Sequence, residues 1–135
     1  MRLAETALLR KPFYVLLGHW QDRDTERMNI AQWDKAKQVK TTGGIVKLLD
    51  MTAKNMMLYV GKFEHGERLD SHSHNPPVEE IYYIISGKAA VSVGEEKKEV
   101  STGGSVYVAP GIRHGIANES NTTLWALFVV SPPTT

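Results

Sequence analysis

From Gly43 onward the chain alternates short apolar runs with turn residues; before Gly43 it does not. The runs are Ile45–Leu49, Met56–Phe63, Leu69–His74, Glu80–Ile85, Ala89–Val93, Glu96–Val100, Ser105–Val108, Gly115–Ala117 and Thr123–Val130. Val, Ile, Tyr and Phe are prominent in them, residues that suit a pleated, half-buried surface. Between them stand Glu64-His65-Gly66, Asn75-Pro76-Pro77, Ser86-Gly87-Lys88, Gly94-Glu95, Thr102-Gly103-Gly104 and Pro110-Gly111. Many short strands punctuated by Gly, Pro and Asn, with no helix between them, predict an all-β antiparallel sandwich or barrel. Ser131-Pro132-Pro133 ends the last run, because proline cannot donate to a sheet ladder.

Alternation within the runs predicts faces. If Glu80 points inward, so do Tyr82 and Ile84, and Tyr83 and Ile85 point the other way. A solvated Lys62 puts Met57, Tyr59 and Phe63 on the inner face. Trp125, Leu127 and Val129 share one face of the last run, opposite Leu124, Ala126, Phe128 and Val130. Both faces of Ile81–Ile85 and Trp125–Val130 are apolar, so one face needs a cover beyond the core. A homodimer is the expected cover, since monomers seldom expose large apolar patches.

Residues 1–42 read as an N-terminal arm and 43–135 as the β domain. In the arm, Leu3, Ala7 and Leu8 fit a short helix ending before Pro12, and Phe13–Leu17 fits an edge strand. Thr25–Lys37 fits a second helix with Thr25 as N-cap and Trp33 as its one large aromatic anchor. The longest early apolar run, Phe13–Gly18, is far below the ~20 residues of a spanning helix, and no small-residue cleavage site follows it. No membrane association and a cytoplasmic location are the expectation.

Composition narrows the chemistry. At 135 residues the chain is a single domain's length, and it contains no cysteine, which removes disulfides, thiolate metal sites and cysteine nucleophiles. Sixteen Lys and Arg against fifteen Asp and Glu leave a net charge of +1, against a broad basic surface for nucleic acid. What remains is His, carboxylate, hydroxyl or metal chemistry.

His72 and His74 flank Ser73, and side chains two apart in a strand point to the same face. Glu79-Glu80 follows the Asn75-Pro76-Pro77 break and opens a return strand that can bring a carboxylate opposite the pair. His114 stands just after Pro110-Gly111, at the start of another short run. Three imidazoles and a carboxylate suit a divalent metal with open positions. Against this stands the ordinary reading of each histidine as a satisfied polar residue. His65 and His19 have no partners at ligand spacing and read as surface residues.

The wider pattern resembles both signature segments of the cupins. Gly66, five residues, His72-Ser73-His74, then Glu80, six residues and Gly87 resemble the first. The five-residue spacer from His74 to Glu80 is one longer than that family usually shows. Either the Asn75-Pro76-Pro77 turn absorbs the extra residue or Glu79 is the ligand; the fixed count to Gly87 favours Glu80. Gly103, five residues, Ala109-Pro110-Gly111, two residues, His114, three residues and Asn118 resemble the second, with Ala109 at the usual proline position.

The resemblance implies a double-sheet jelly-roll β-barrel. It implies one divalent transition metal (Fe, Mn, Ni or Zn) held by His72, His74, Glu80 and His114, with Asn118 a structural residue. Tyr82 is a candidate proton donor or support for a ligand, and Arg113 a candidate for binding a substrate carboxylate. The implied function is a metal-dependent enzyme acting on a small molecule in the barrel, with a dioxygenase-like oxidoreductase favoured over an isomerase or lyase. The alternative is a non-catalytic cupin that binds a sugar or another metabolite.

Overall fold

The computed structural model describes residues 27–49 and 52–134. The expected helix around Leu3–Leu8, the edge strand Phe13–Leu17 and His19 lie outside the described residues. The described residues from Ala31 onward form one compact unit. No helix among the described residues is long and apolar enough to cross a membrane.

Ten strands make up the unit: β1 (Lys37–Val39), β2 (Ile45–Leu48), β3 (Met57–Phe63), β4 (Arg68–His72), β5 (Glu79–Ser86), β6 (Lys88–Val93), β7 (Glu96–Ser101), β8 (Ser105–Val108), β9 (His114–Ala117) and β10 (Leu124–Ser131). Each of the nine apolar runs holds one of β2 to β10, with ends displaced by no more than a residue or two. The Thr25–Lys37 helix is corrected. The described residues 27–37 hold only a 3-10 turn at Trp33–Lys35, and Lys37 already belongs to β1. A helix needs a continuous apolar stripe, and this stretch has one anchor. Trp33 packs edge-on against Trp125 at 4.9 Å. The Lys47 ammonium donates to the Trp33 carbonyl at 2.7 Å and lies over its ring.

Two antiparallel sheets form, one ordered β1-β2-β3-β10-β5-β8 and the other β4-β9-β6-β7. They form the expected antiparallel double-sheet jelly roll, with the two sheets not closed into a single barrel. Strand alternation divides the faces as expected: in β5, Glu80, Tyr82 and Ile84 are buried while Ile81, Tyr83 and Ile85 are exposed. In β10, Leu124, Ala126, Phe128 and Val130 are buried. Tyr82, Ile84, Leu124, Ala126 and Phe128 join Val46, Phe63, Ala89, Val91 and Ile116 in one apolar core. Gly87 makes the β5–β6 turn at φ +104°, where a Cβ would stand 2.7 Å from the Thr123 carbonyl oxygen, so a larger residue meets both strain and backbone.

Asn118 is fully buried and ties loops together, as its second-motif position implied. Its side-chain amide donates to the carbonyls of Phe63 at 2.7 Å and Thr122 at 2.8 Å, and its Oδ1 accepts from the Ser120 N–H and hydroxyl. Removing both partners' bonds at once leaves buried backbone groups unpaired, at about 1–3 kcal/mol each. Asn118→Ala is therefore expected to destabilise the fold by about 2–3 kcal/mol, read as a lower thermal midpoint with strand content unchanged below it. A midpoint equal to the wild type's would contradict this role.

Candidate metal centre

The two sheets meet chemically at one point. His72 ends β4 and His114 opens β9, and the two are direct partners across the ladder. Between Leu69 and His72 the β4 register shifts, so β4 bulges where it reaches this pair. Gly115 lets the bulge approach: a Cβ there would lie 3.1 Å from the Leu69 carbonyl oxygen and 3.3 Å from the Ser71 backbone. His74 lies just past β4, its carbonyl accepting the Gly111 N–H at 3.1 Å, which couples the two motifs. Glu80 comes from the facing sheet, paired through its backbone with Val108 of β8 and Val130 of β10.

Glu80 and not Glu79 faces the histidines. Glu79 is exposed and accepts the Tyr107 hydroxyl at 2.7 Å. The turn at Asn75–Val78, closed by the Val78 N–H to the Asn75 carbonyl, takes up the extra residue of the spacer.

His72, His74, Glu80 and His114 each offer one donor atom, all within 4.8 Å of one another. A first-row divalent ion with bonds of about 2.1 Å needs donors about 3 Å apart when adjacent and about 4.2 Å when opposite. The cluster is thus near the size required. His74 Nε2 and His114 Nε2 stand 3.2 and 3.0 Å from Glu80 Oε1. Backbone carbonyls set the tautomers: His72 Nδ1–H donates to Asp70 at 2.9 Å and His114 Nδ1–H to Ile112 at 2.8 Å. That leaves each Nε2 as the metal-facing nitrogen.

His114 carries the strongest argument. It is 1% exposed and stands between two acceptors, the Ile112 carbonyl and Glu80. A neutral imidazole has one N–H, so its Nε2 approach to the carboxylate calls for a second proton or a cation. Burial lowers the His114 pKa, but the bonds to Glu80 and to the Ile112 carbonyl outweigh it, and the net shift is upward. Burial dominates at His74, with the neighbouring imidazoles adding to it against Glu80, and lowers its pKa.

Metal binding requires neutral imidazoles. With the His114 pKa raised above its ordinary 6.5, metal affinity is expected to begin falling, on acidification, at a pH already above 6.5. His74 charges only at lower pH. Metal titrations across roughly pH 5 to 8 check this, and affinity that stays level down past pH 6.5 would contradict it.

A cavity of about 410 Å³ opens on the cluster. His72, His74 and Glu80 lie on its wall with Val39, Val46, Tyr59, Leu69, Phe128 and Val130. Tyr59 is also on the wall, its hydroxyl donating to Met57 Sδ at 3.5 Å. Alternation placed it inward, but nothing in the sequence marked it as a site residue. Burial raises its pKa; a bond from Thr134 opposes this and the Glu80 carboxylate adds to it. The wall segment Val39–Thr42 was missed altogether, because β1 has only three residues and no alternation to reveal it.

Tyr82 and Arg113 are placed differently. Tyr82 is 0% exposed beneath the site, its ring 6.0 Å from the His114 ring. Its hydroxyl has no hydrogen-bond partner among the described residues. Burial, then the Glu80 carboxylate, push its pKa far upward, so it is a neutral donor. Arg113 is exposed and not among the cavity-lining residues; its Nη2 donates to the Ser71 carbonyl at 2.8 Å. His65 pairs through Nδ1 with the Ser120 carbonyl at 2.9 Å, away from the cluster's donor set.

Fold and site define a small cupin, and residues 59–130 match the family model described as a cupin domain. The chain belongs to that family. An uncharacterized protein of Streptomyces coelicolor is 42% identical over 55 residues, covering 41% of this chain and 51% of that one. The chain spans about half the length of the curated relatives it matches. Among solved structures, an RmlC-like cupin from Shewanella frigidimarina superposes with a TM-score of 0.67 at 20% identity, covering 79% of this chain and 93% of that one. A protein from Thermotoga maritima titled a predicted oxalate decarboxylase gives 0.65 at 21%, covering 78% and 100%. At these identities the structures share the fold.

Proposed function

We propose that the chain is a metal-dependent enzyme acting on a small molecule in the cavity, with dioxygenase-like oxidoreduction the favoured class. One observation supports this above the rest: three imidazoles and one carboxylate converge from both sheets at a cavity of about 410 Å³. Cavities of this size suit small molecules. A divalent transition metal at this site supplies Lewis acidity and, if it is iron or manganese, electron exchange with dioxygen.

The chain's own residues do the rest. His72, His74, Glu80 and His114 would hold the metal, three imidazoles and one carboxylate suiting a divalent transition ion. The apolar wall residues exclude water from a bound substrate, which strengthens each polar contact within. Tyr59 lines the cavity with a neutral hydroxyl that can exchange its weak bond to Met57 Sδ for one to that substrate. Tyr82 packs beneath His114 and keeps its own hydroxyl protonated, as a support for the site rather than a proton source. Arg113 fixes the end of β4 against the start of β9, and its other N–H groups are open to an anion at the rim.

The proposal includes a homodimer with its interface on the outer face of β5 and β8, where Ile81, Tyr83, Ile85 and Tyr107 are exposed. A monomeric mass at micromolar concentration would contradict that part.

Oxygen uptake by iron- or manganese-loaded protein, against a panel of small chelating diols and hydroxy acids, tests the reading. Metal-dependent consumption of oxygen is the expected result. Tight binding without turnover of any kind would replace it with a non-catalytic binder of metabolites, and turnover without oxygen with an isomerase or lyase.

A further inference from the structure

Among the polar residues on the cavity wall outside the donor cluster, one is a cation. Lys40 lines the cavity and is exposed, so it stands at the opening. It is the one lysine or arginine among the described residues on that wall. Asp70, the acidic wall residue outside the donor cluster, is already engaged, pairing with Arg68 at 2.8 Å. No carboxylate among the described residues pairs with Lys40.

The segment carrying Lys40 is held in place. Val39 pairs with Val46 across β1 and β2. Thr41 Oγ1 donates to the Gly43 carbonyl at 3.0 Å, and Thr42 Oγ1 donates to the Arg68 carbonyl at 3.3 Å. The Asp70 N–H in turn donates to Thr42 Oγ1 at 3.1 Å. The backbone bearing Lys40 is therefore pinned to β4, the strand that ends in His72.

We infer that the cavity takes an anionic small molecule with an apolar body, its chelating end at the metal donors and its charged end bound by Lys40. The apolar middle faces Val39, Val46, Leu69, Phe128 and Val130. The inference rests on the metal-centre reading given above, and electrostatics agree with it. A divalent ion against the single carboxylate of Glu80 leaves net positive charge at the site, and Lys40 adds to it, so the loaded cavity attracts anions.

Zinc-loaded protein titrated with catechols tests it, because a catechol chelates through its diol whether or not a second charge is present. The probes are neutral 4-methylcatechol and two carboxylates of different reach, 3,4-dihydroxyphenylacetate and 3-(3,4-dihydroxyphenyl)propanoate. Wild type is expected to bind at least one carboxylate about tenfold more tightly than the neutral probe, a fair gain for a charge-assisted contact. In Lys40→Met that preference is expected to fall to within about threefold, with metal stoichiometry and affinity for 4-methylcatechol unchanged.

A preference that survives Lys40→Met, or one that is lost in Arg113→Gln and kept in Lys40→Met, overturns the inference. So does a zinc-loaded protein that binds none of the three probes, although the metal centre then stands. Failure of wild type to bind zinc at all overturns the metal centre and this inference together.

Discussion

His72→Ala is expected to lower affinity for divalent metal by at least ~100-fold while the strands remain. The imidazole is one of three in the donor cluster, oriented by the bond from its Nδ1–H to the Asp70 carbonyl. Loss of a group that merely orients a ligand costs 10–100-fold in metal affinity, so loss of a ligand itself costs more. The fold survives because His72 is only partly buried at the end of β4 and is absent from the apolar core. Metal titration together with circular dichroism separates the two outcomes. A loss of less than about tenfold would remove His72 from the donor set.

Glu80→Gln and Glu79→Gln are expected to differ more sharply than any other neighbouring pair. Glu80 is 6% exposed and supplies the cluster's one carboxylate. Replacing it with an amide removes the charge that balances the metal, and a loss of ~100-fold or more is expected. Glu79 faces outward to the Tyr107 hydroxyl, so its substitution is expected to change metal affinity by less than about threefold. Titration of both variants with the same metal checks the order, and a reversed order would mean that β5 presents its other face to the cavity.

The strands of the β region were legible because each has a half-buried face, and alternation reports such a face directly. β5 is the clearest instance, with Glu80, Tyr82 and Ile84 inward as expected. The donor set was legible because its members lie at motif spacings, although only the structure shows that the Asn75–Val78 turn absorbs the extra residue before Glu80. β1 was not legible. Its three residues carry no pattern, and its place depends on pairing with β2 rather than on local sequence. The same holds for the cavity wall at Lys40–Thr42, which is fixed by bonds to β4 some 26 residues away. The expected helix at Thr25–Lys37 had Trp33 as its one large aromatic anchor, too little to hold a helical face, and Trp33 instead packs against Trp125.

The most direct test of the account is a crystal structure of manganese- or cobalt-loaded protein, with the metal located by its anomalous scattering. The expected result is one peak per chain, bonded at about 2.1 Å to Nε2 of His72, His74 and His114 and to a Glu80 carboxylate oxygen. Loaded crystals with no peak between the two sheets, or a peak whose ligands exclude His114, would contradict the central claim.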